Sequence, residues 1–319
     1  MPQKKETWVE IAIKVHGDLV DAVSNFMTEI GALGVYEESL EPQDGSDFAE
    51  SRPEAAEPLT EETIKAYLLK DNRLNHRLAS LDAYIHSLGS LFPDHPRVAY
   101  TIQIVNDADW AEGWKKYFKP IRVTKNIIIK PTWERYAAVG HDIVIEMDPG
   151  MAFGTGQHAS TRMCLEALEN IILHEKTAQP GNVLDIGSGT GILGIAAAKL
   201  GAKKVTCIDI DPLATEISLE NIKINHVEDR VEALTQDVSA LDGAFDLIVA
   251  NLTAKVLIKQ RSHIISLLSE GGFLIISGII EQNREDIETH FLADPFVSPK
   301  TLTEKEWLCY ILKKETHSR

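Results

Sequence analysis

The stretch Val183-Leu184-Asp185-Ile186-Gly187-Ser188-Gly189-Thr190-Gly191-Ile192-Leu193-Gly194 decides how this chain is read. A short apolar run of strand character turns through glycines into a helix from Ile195 to Leu200. Glycine in such a turn lets a ligand come close to the backbone. Taken literally, Gly189-x-Gly191-x-x-Gly194 also satisfies the dinucleotide fingerprint, with Asp209 placed further on to take ribose hydroxyls. The glycines alone leave two cofactors open, a nicotinamide dinucleotide (NAD) and S-adenosyl-L-methionine. Asp185 separates them. A carboxylate just before the turn disfavours a pyrophosphate and suits the amino group of a methionine moiety, which favours S-adenosylmethionine.

Outward from this motif, the chain from about Thr161 alternates helix and strand. Strands are expected at Asn182 to Ile186, Lys204 to Asp209, Val231 to Gln236, Phe245 to Ala250, Phe273 to Ser277, Phe296 to Leu302 and Trp307 to Leu312. Helical segments separate the first five, the pattern of a doubly wound α/β sheet that binds ligands outside the carboxyl ends of its strands. The link between the last two is too short for a crossover helix, so that pair is expected to be antiparallel.

Three side chains near those strand ends carry polar chemistry. Asn251, closing Val249-Ala250-Asn251, has an amide oxygen that would accept a hydrogen bond from a substrate amine and aim its lone pair at a methyl group. The competing reading is an N-cap for a helix from Thr253 to Leu268. Asp237, after the third strand, fits either an adenine amino group or an ordinary turn. Upstream, Asp148-Pro149-Gly150-Met151-Ala152-Phe153-Gly154-Thr155-Gly156-Gln157-His158-Ala159-Ser160-Thr161 is a glycine-rich loop entering a helix and lacks the lysine of a Walker cradle. His158 in that loop reads as a general base or as a structural hydrogen-bonding residue.

The first 105 residues contain no such chemistry. Trp8 to Val15 alternates as a half-buried strand, and Leu19, Val20, Val23, Phe26, Met27 and Ile30 form a helical stripe ended by Gly31 and Gly34. A second helix is expected from about Glu61 to Leu88, on Ile64, Leu68, Leu78, Leu81 and Ile85, then a strand from Val98 to Val105. The order suggests a small α+β sandwich serving recognition. Residues 106–150 read as a structured connector with strands at Ile127-Ile128-Ile129 and Ile143-Val144-Ile145. Its aromatic and basic cluster, Trp110 to Lys119, fits packing between domains or stacking on RNA bases. The expected organisation is therefore 1–105, 106–150 and 151–319.

Composition limits the partners. Asp and Glu outnumber Lys and Arg by 48 to 32, a formal charge of -16 that repels phosphate backbones and favours a basic partner. Between Tyr36 and Glu62 ten acidic residues face one arginine, Arg52, which reads as a solvated loop or as a docking surface for a basic substrate. The three cysteines, Cys164, Cys207 and Cys309, form no metal or redox pattern and are expected as buried apolar fillers. With no apolar run long enough for a bilayer and no signal-like amino terminus, a cytoplasmic protein is expected.

With these residues assembled, the chain resembles the bacterial ribosomal protein methyltransferase family called PrmA, which acts on large-subunit ribosomal protein eleven. Four blocks carry the resemblance: the Trp8 strand with Gly31-Ala32-Leu33-Gly34-Val35; Asp109-Trp110 to Trp114-Lys115-Lys116 with Lys119-Pro120-Ile121; the loop from Asp148 to Thr161; and the glycine motif with Asp209-Ile210-Asp211-Pro212 and Ala250-Asn251-Leu252. The resemblance implies a ferredoxin-like amino-terminal domain that recognises the substrate, a linker, and a class I methyltransferase domain that methylates lysine or amino-terminal nitrogen. On matching positions it implies that Thr161, Gly187, Asp209 and Asn251 contact S-adenosylmethionine and that Phe153, Gly189 and His158 line the same site. The chain departs from the family at Gln157, at Ala159-Ser160 and at Thr253-Ala254, and its acidic segment is longer. Three rivals stay open at this point: another basic protein as substrate, a nicotinamide-dependent oxidoreductase, and a non-catalytic ribosome-associated binding module.

Overall fold

The computed structural model describes residues 7–37, 62–92, 96–106, 118–148, 156, 158–174, 180–292 and 295–316. Phe153, Gln157, the Trp110 to Tyr117 cluster and most of the acidic segment lie outside them. In sequence, one compact unit ends at Lys119 and a second begins at Pro120.

The first unit runs β1 (Thr7–Val15), α1 (Val20–Glu29), β2 (Leu33–Glu37), β3 (Glu62–Leu69), α2 (Leu74–Leu91), β4 (Ala99–Asn106). Its strands form one sheet in the order β2-β3-β1-β4, every neighbouring pair antiparallel. Val9, Ile11, Ile13 and Val15 alternate onto the face covered by Val20, Val23 and Met27 of α1 and Leu81 and Leu88 of α2. The expected helix from Glu61 is corrected here: its first part is β3. Ile64 and Leu68 are four residues apart, a spacing that satisfies a strand as well as a helix. Ala66 between them is buried too, which fixes the period at two. Gly31, with φ of 83°, does end α1, whereas Gly34 lies within β2.

The second unit opens with β5 (Ile121–Arg122), β6 (Ile127–Lys130) and β7 (Ile143–Glu146). The strands expected in a connector form this small sheet, in the order β5-β6-β7. Ile127, Ile129, Ile145 and Met147 share a buried cluster with the helices that follow. After α3 (Ala159–His174) come β8 (Asn182–Ile186), α4 (Ile192–Leu200), β9 (Lys204–Asp209), α5 (Pro212–Ile224), β10 (Val231–Thr235), β11 (Phe245–Asn251), α6 (Ala254–Leu267), β12 (Leu268–Ile280), α7 (Arg284–Phe291), β13 (Phe296–Glu304) and β14 (Trp307–Lys314).

The large sheet has the order β10-β9-β8-β11-β12-β14-β13, with β14 antiparallel to both of its neighbours and the pairs from β10 to β12 parallel. The chain winds outward from β8 in one direction and then restarts beside it at β11. In sheets wound this way the ligand crevice lies at that reversal, outside the carboxyl ends of the strands, here β8 and β11. One face of the sheet is covered by α3 and α4, the other by α6 and α7. Helix α4 is apolar except for Lys199 in its last turn and is almost wholly buried. Each of its fully buried isoleucine and leucine side chains contributes about 1.5–3 kcal/mol. Cys164, Cys207 and Cys309 are buried free thiols. Among the described residues no helix is long and apolar enough to cross a membrane.

Candidate active site

The glycine turn is built almost entirely from backbone. Gly187, Gly189 and Gly191 take φ of 69°, 54° and 79°, a conformation that costs other residues roughly 1–2 kcal/mol each. Gly187 and Ser188 donate their N–H groups to the carbonyl of Ile208 at 2.8 and 3.0 Å, tying the turn to the end of β9. The Asp209 carboxylate there accepts from Gly189 N at 2.9 Å with one oxygen and from Asp211 N at 3.0 Å with the other. Asp211 then caps α5 by accepting from Leu213 N at 2.9 Å, with Pro212 in the first turn. Each Asp209 oxygen keeps a further lone pair, which is what a ribose hydroxyl needs.

Asp185 lies beneath this turn, 1% exposed. Its Oδ2 accepts from Gly194 N at 2.9 Å in the first turn of α4. Its Oδ1 is buried without a hydrogen-bond partner. Burial pushes this carboxyl up to about 7; the Gly194 N–H opposes the rise and the charge of Asp209 adds to it. A cationic group brought close would restore the ionised form.

Across the crevice, side chains build the site. Asn251 ends β11 opposite Ser277 of β12. Its Nδ2 donates to Thr161 Oγ1 at 3.3 Å, and Thr161, in the first turn of α3, is 1% exposed. That contact sets the orientation of the amide and leaves Asn251 Oδ1 buried with no partner. The N-cap alternative does not hold: Thr253, not Asn251, stands at the N-cap position of α6, and Asn251 Oδ1 accepts from no backbone N–H there. His158 accepts from Ser160 N at 3.2 Å and shares a 2.7 Å hydrogen bond with the Ser160 hydroxyl through Nδ1. Its ring meets Trp307 edge-on at 4.5 Å between centroids. Arg162 pairs with Glu304 through both guanidinium and carboxylate forks, so the first turn of α3 is fastened to the β13–β14 hairpin. Those hairpin partners lie too far along the chain for any local signal to mark them.

Asp237 stands apart from these groups. It is exposed, and its Oδ1 accepts from Ser239 N and Oγ at 2.8 and 2.5 Å, which lowers its pKa. It caps a single turn, the ordinary role weighed for it, with a second oxygen left to accept elsewhere.

A buried carboxyl with a free oxygen under the glycine turn, a carboxylate at the end of the next strand and an unpartnered amide oxygen across the switch point fit S-adenosylmethionine group by group: ammonium, ribose and the reacting end. Fold and site together define a class I S-adenosylmethionine-dependent methyltransferase. Within that class, the family model described as ribosomal protein L11 methyltransferase (PrmA) matches residues 7–315. The ribosomal protein L11 methyltransferase of Geotalea daltonii is 38% identical over 321 residues, covering 97% of this chain and 98% of that protein. That of Citrifermentans bemidjiense is 37% identical over 310 residues, covering 96% and 98%. A crystal structure of ribosomal protein L11 methylase from Lactobacillus delbrueckii subsp. bulgaricus matches with a TM-score of 0.57 and 32% identity, over 62% of this chain and 100% of that one. This chain belongs to the ribosomal protein L11 methyltransferase family, which sets aside the nicotinamide alternative left by the glycine fingerprint.

Proposed function

We propose that this protein methylates amine nitrogens, lysine side chains or the amino terminus, of ribosomal protein L11 in the cytoplasm, free or on the ribosome. The observation that carries the reading is Asn251: an amide locked by Thr161 at the switch point, with its oxygen buried and unpartnered, in a chain of this family.

S-adenosylmethionine, when bound, supplies an electrophilic methyl group on sulfur. Asp185 Oδ1 would hold its ammonium and the Asp209 carboxylate its ribose, Gly187 and Gly189 would let it approach the backbone, Thr161 and His158 would line the same site, and Asp237 would accept from the adenine amino group. Asn251 Oδ1 accepts an N–H of the neutral substrate amine and turns the nitrogen lone pair towards the methyl carbon. A lysine, with a reference pKa of about 10.4, must lose its proton before attack, and burial of the crevice favours that neutral form. With that donor bound, the N–C bond would form as the C–S bond breaks, and the proton on nitrogen would pass to water.

Residues 1–105, within the first unit, are taken as the substrate-recognition domain, residues 106–150 as the connector and residues 151–319 as the methyltransferase domain. The βαββαβ order and the antiparallel sheet β2-β3-β1-β4 support a ferredoxin-like reading of that first domain. The net charge of -16 supports a basic protein partner in preference to nucleic acid.

The test is incubation with isotopically labelled S-adenosylmethionine and purified L11, with methyl groups located by mass spectrometry. Label on lysine or the amino terminus is expected. Asn251→Ala should lower kcat about a hundredfold and leave cofactor Kd within about threefold. Absence of label with cofactor binding intact would move the substrate to another basic protein.

A further inference from the structure

We propose that Gly278 is a positioning residue for methyl transfer: its missing side chain, at a bulge in β12, leaves the space in which the Asn251 amide oxygen is held. The inference rests on the amine-orienting role proposed for Asn251.

Strand β12 reads Phe273-Leu274-Ile275-Ile276-Ser277-Gly278-Ile279-Ile280, with β-branched residues on both sides of the Ser-Gly pair. A glycine there weakens a central strand and marks a bulge or a close backbone approach. Both occur. Against β14 the register passes from Ile276↔Tyr310 to Ile279↔Leu308, so β12 carries one residue more than its partner across the pair. Gly278 takes up that residue at φ of 79°. Ser277, fully buried, pins the bulge by donating its hydroxyl to the carbonyl of Leu308 at 3.0 Å, and its own carbonyl accepts from Leu252 N at 3.0 Å.

The bulge thus lies against the end of β11. A Cβ at position 278 would stand 2.7 Å from the Leu252 carbonyl oxygen, 3.0 Å from its carbon and 3.0 Å from Asn251 Oδ1. The first two are backbone and cannot rotate away. The third is the unpartnered oxygen itself. Any side chain at 278 displaces the Leu252 peptide or turns the Asn251 amide, and either movement spoils the approach of the amine to the methyl carbon.

A bulge could want glycine for its φ alone, and the same strand contains the control. Gly271 has a φ of 72°, but a Cβ there meets only the Thr316 hydroxyl, at 3.1 Å, far along the strand from Asn251. Gly271→Ala imposes the same backbone strain without the Asn251 contact.

The experiment compares Gly278→Ala, Gly271→Ala, Asn251→Ala and the Asn251→Ala/Gly278→Ala double variant, with Gly278→Asn as a second substitution because asparagine tolerates left-handed backbone better. Melting temperature, S-adenosylmethionine Kd and KM, and kcat are measured on folded protein. Gly278→Ala should lose kcat about tenfold to a hundredfold with cofactor KM within about threefold, the cost of misplacing a reacting group by a fraction of an ångström to one ångström. Gly271→Ala carries the left-handed strain without the Leu252 backbone clash, so it should melt lower than the unsubstituted protein but by less than Gly278→Ala, and keep kcat. In the Asn251→Ala background, Gly278→Ala should cost little further kcat. Unchanged kcat in both Gly278 variants, an equal loss in Gly271→Ala, or a full loss on top of Asn251→Ala would each overturn the inference. Full turnover by Asn251→Ala would instead remove the reading beneath it.

Discussion

The two walls of the crevice are made differently. The β8–β9 wall is backbone: positive-φ glycines, N–H groups tied to Ile208, and an aspartate whose bonds also go to backbone. The β11–β12 wall is side chains: an asparagine oriented by a threonine from α3, a histidine edge-on to a tryptophan, and a glycine that keeps clear of them. A backbone wall fixes a cofactor whose shape never changes, whereas a side-chain wall can be aimed at a particular nucleophile. Substitutions on the first wall should therefore fall on cofactor affinity, and those on the second on turnover.

The sharpest challenge to this division is Asp209→Ala. It removes the acceptor for two backbone N–H groups and for the ribose, and two charge-assisted hydrogen bonds of about 1.5–3 kcal/mol each predict at least a hundredfold weaker cofactor binding by calorimetry. A loss of kcat at saturating cofactor with Kd unchanged would reverse the assignment of the walls. Next in size is Thr161→Val, which keeps the shape and removes the acceptor that orients Asn251. About a tenfold loss of kcat is expected, the worth of one hydrogen bond, with a smaller change in Kd. If Kd absorbs the whole effect, Thr161 belongs to the cofactor wall alone.

The smallest effect concerns Asp185. Its carboxyl holds a proton up to about 7 in the folded protein, while the unfolded chain releases it near about 4. Between those values the native state binds more protons, so this residue's contribution to stability falls as pH rises from about 4 to about 7. Asp185→Asn should flatten that part of the melting-temperature profile of the cofactor-free protein and weaken cofactor binding several-fold. A slope identical to that of the unsubstituted protein would show that the buried carboxyl is not the titrating group.

The contrast between the walls also explains what could be read from residues alone. Strands β8 and β9 begin and end where expected, because an apolar run ending in glycines or in Asp-x-Asp-Pro states its own boundaries. The role of Asn251 was legible as one of two possibilities, and only the start of α6 two residues further on, with Thr253 at its N-cap position, separates them. Trp307 and Glu304 carried no local signal, since their relation to His158 and Arg162 exists only after the sheet forms. Gly278 did carry one, a glycine inside a strand, but what it avoids is set by β11. In the first unit, Ile64 and Leu68 matched helix and strand periods equally, and burial of Ala66 decided between them.

Strand β14 has a consequence for synthesis. It is the last strand described, yet it sits inside the sheet between β12 and β13, and it carries the tryptophan that meets His158. A nascent chain that has emerged only as far as Glu304 has an open edge on β12, with Ile275 and Ile276 exposed to any strand that comes by. Closing of that edge and completion of the crevice happen in one event, so both must wait until the chain has emerged through Lys314.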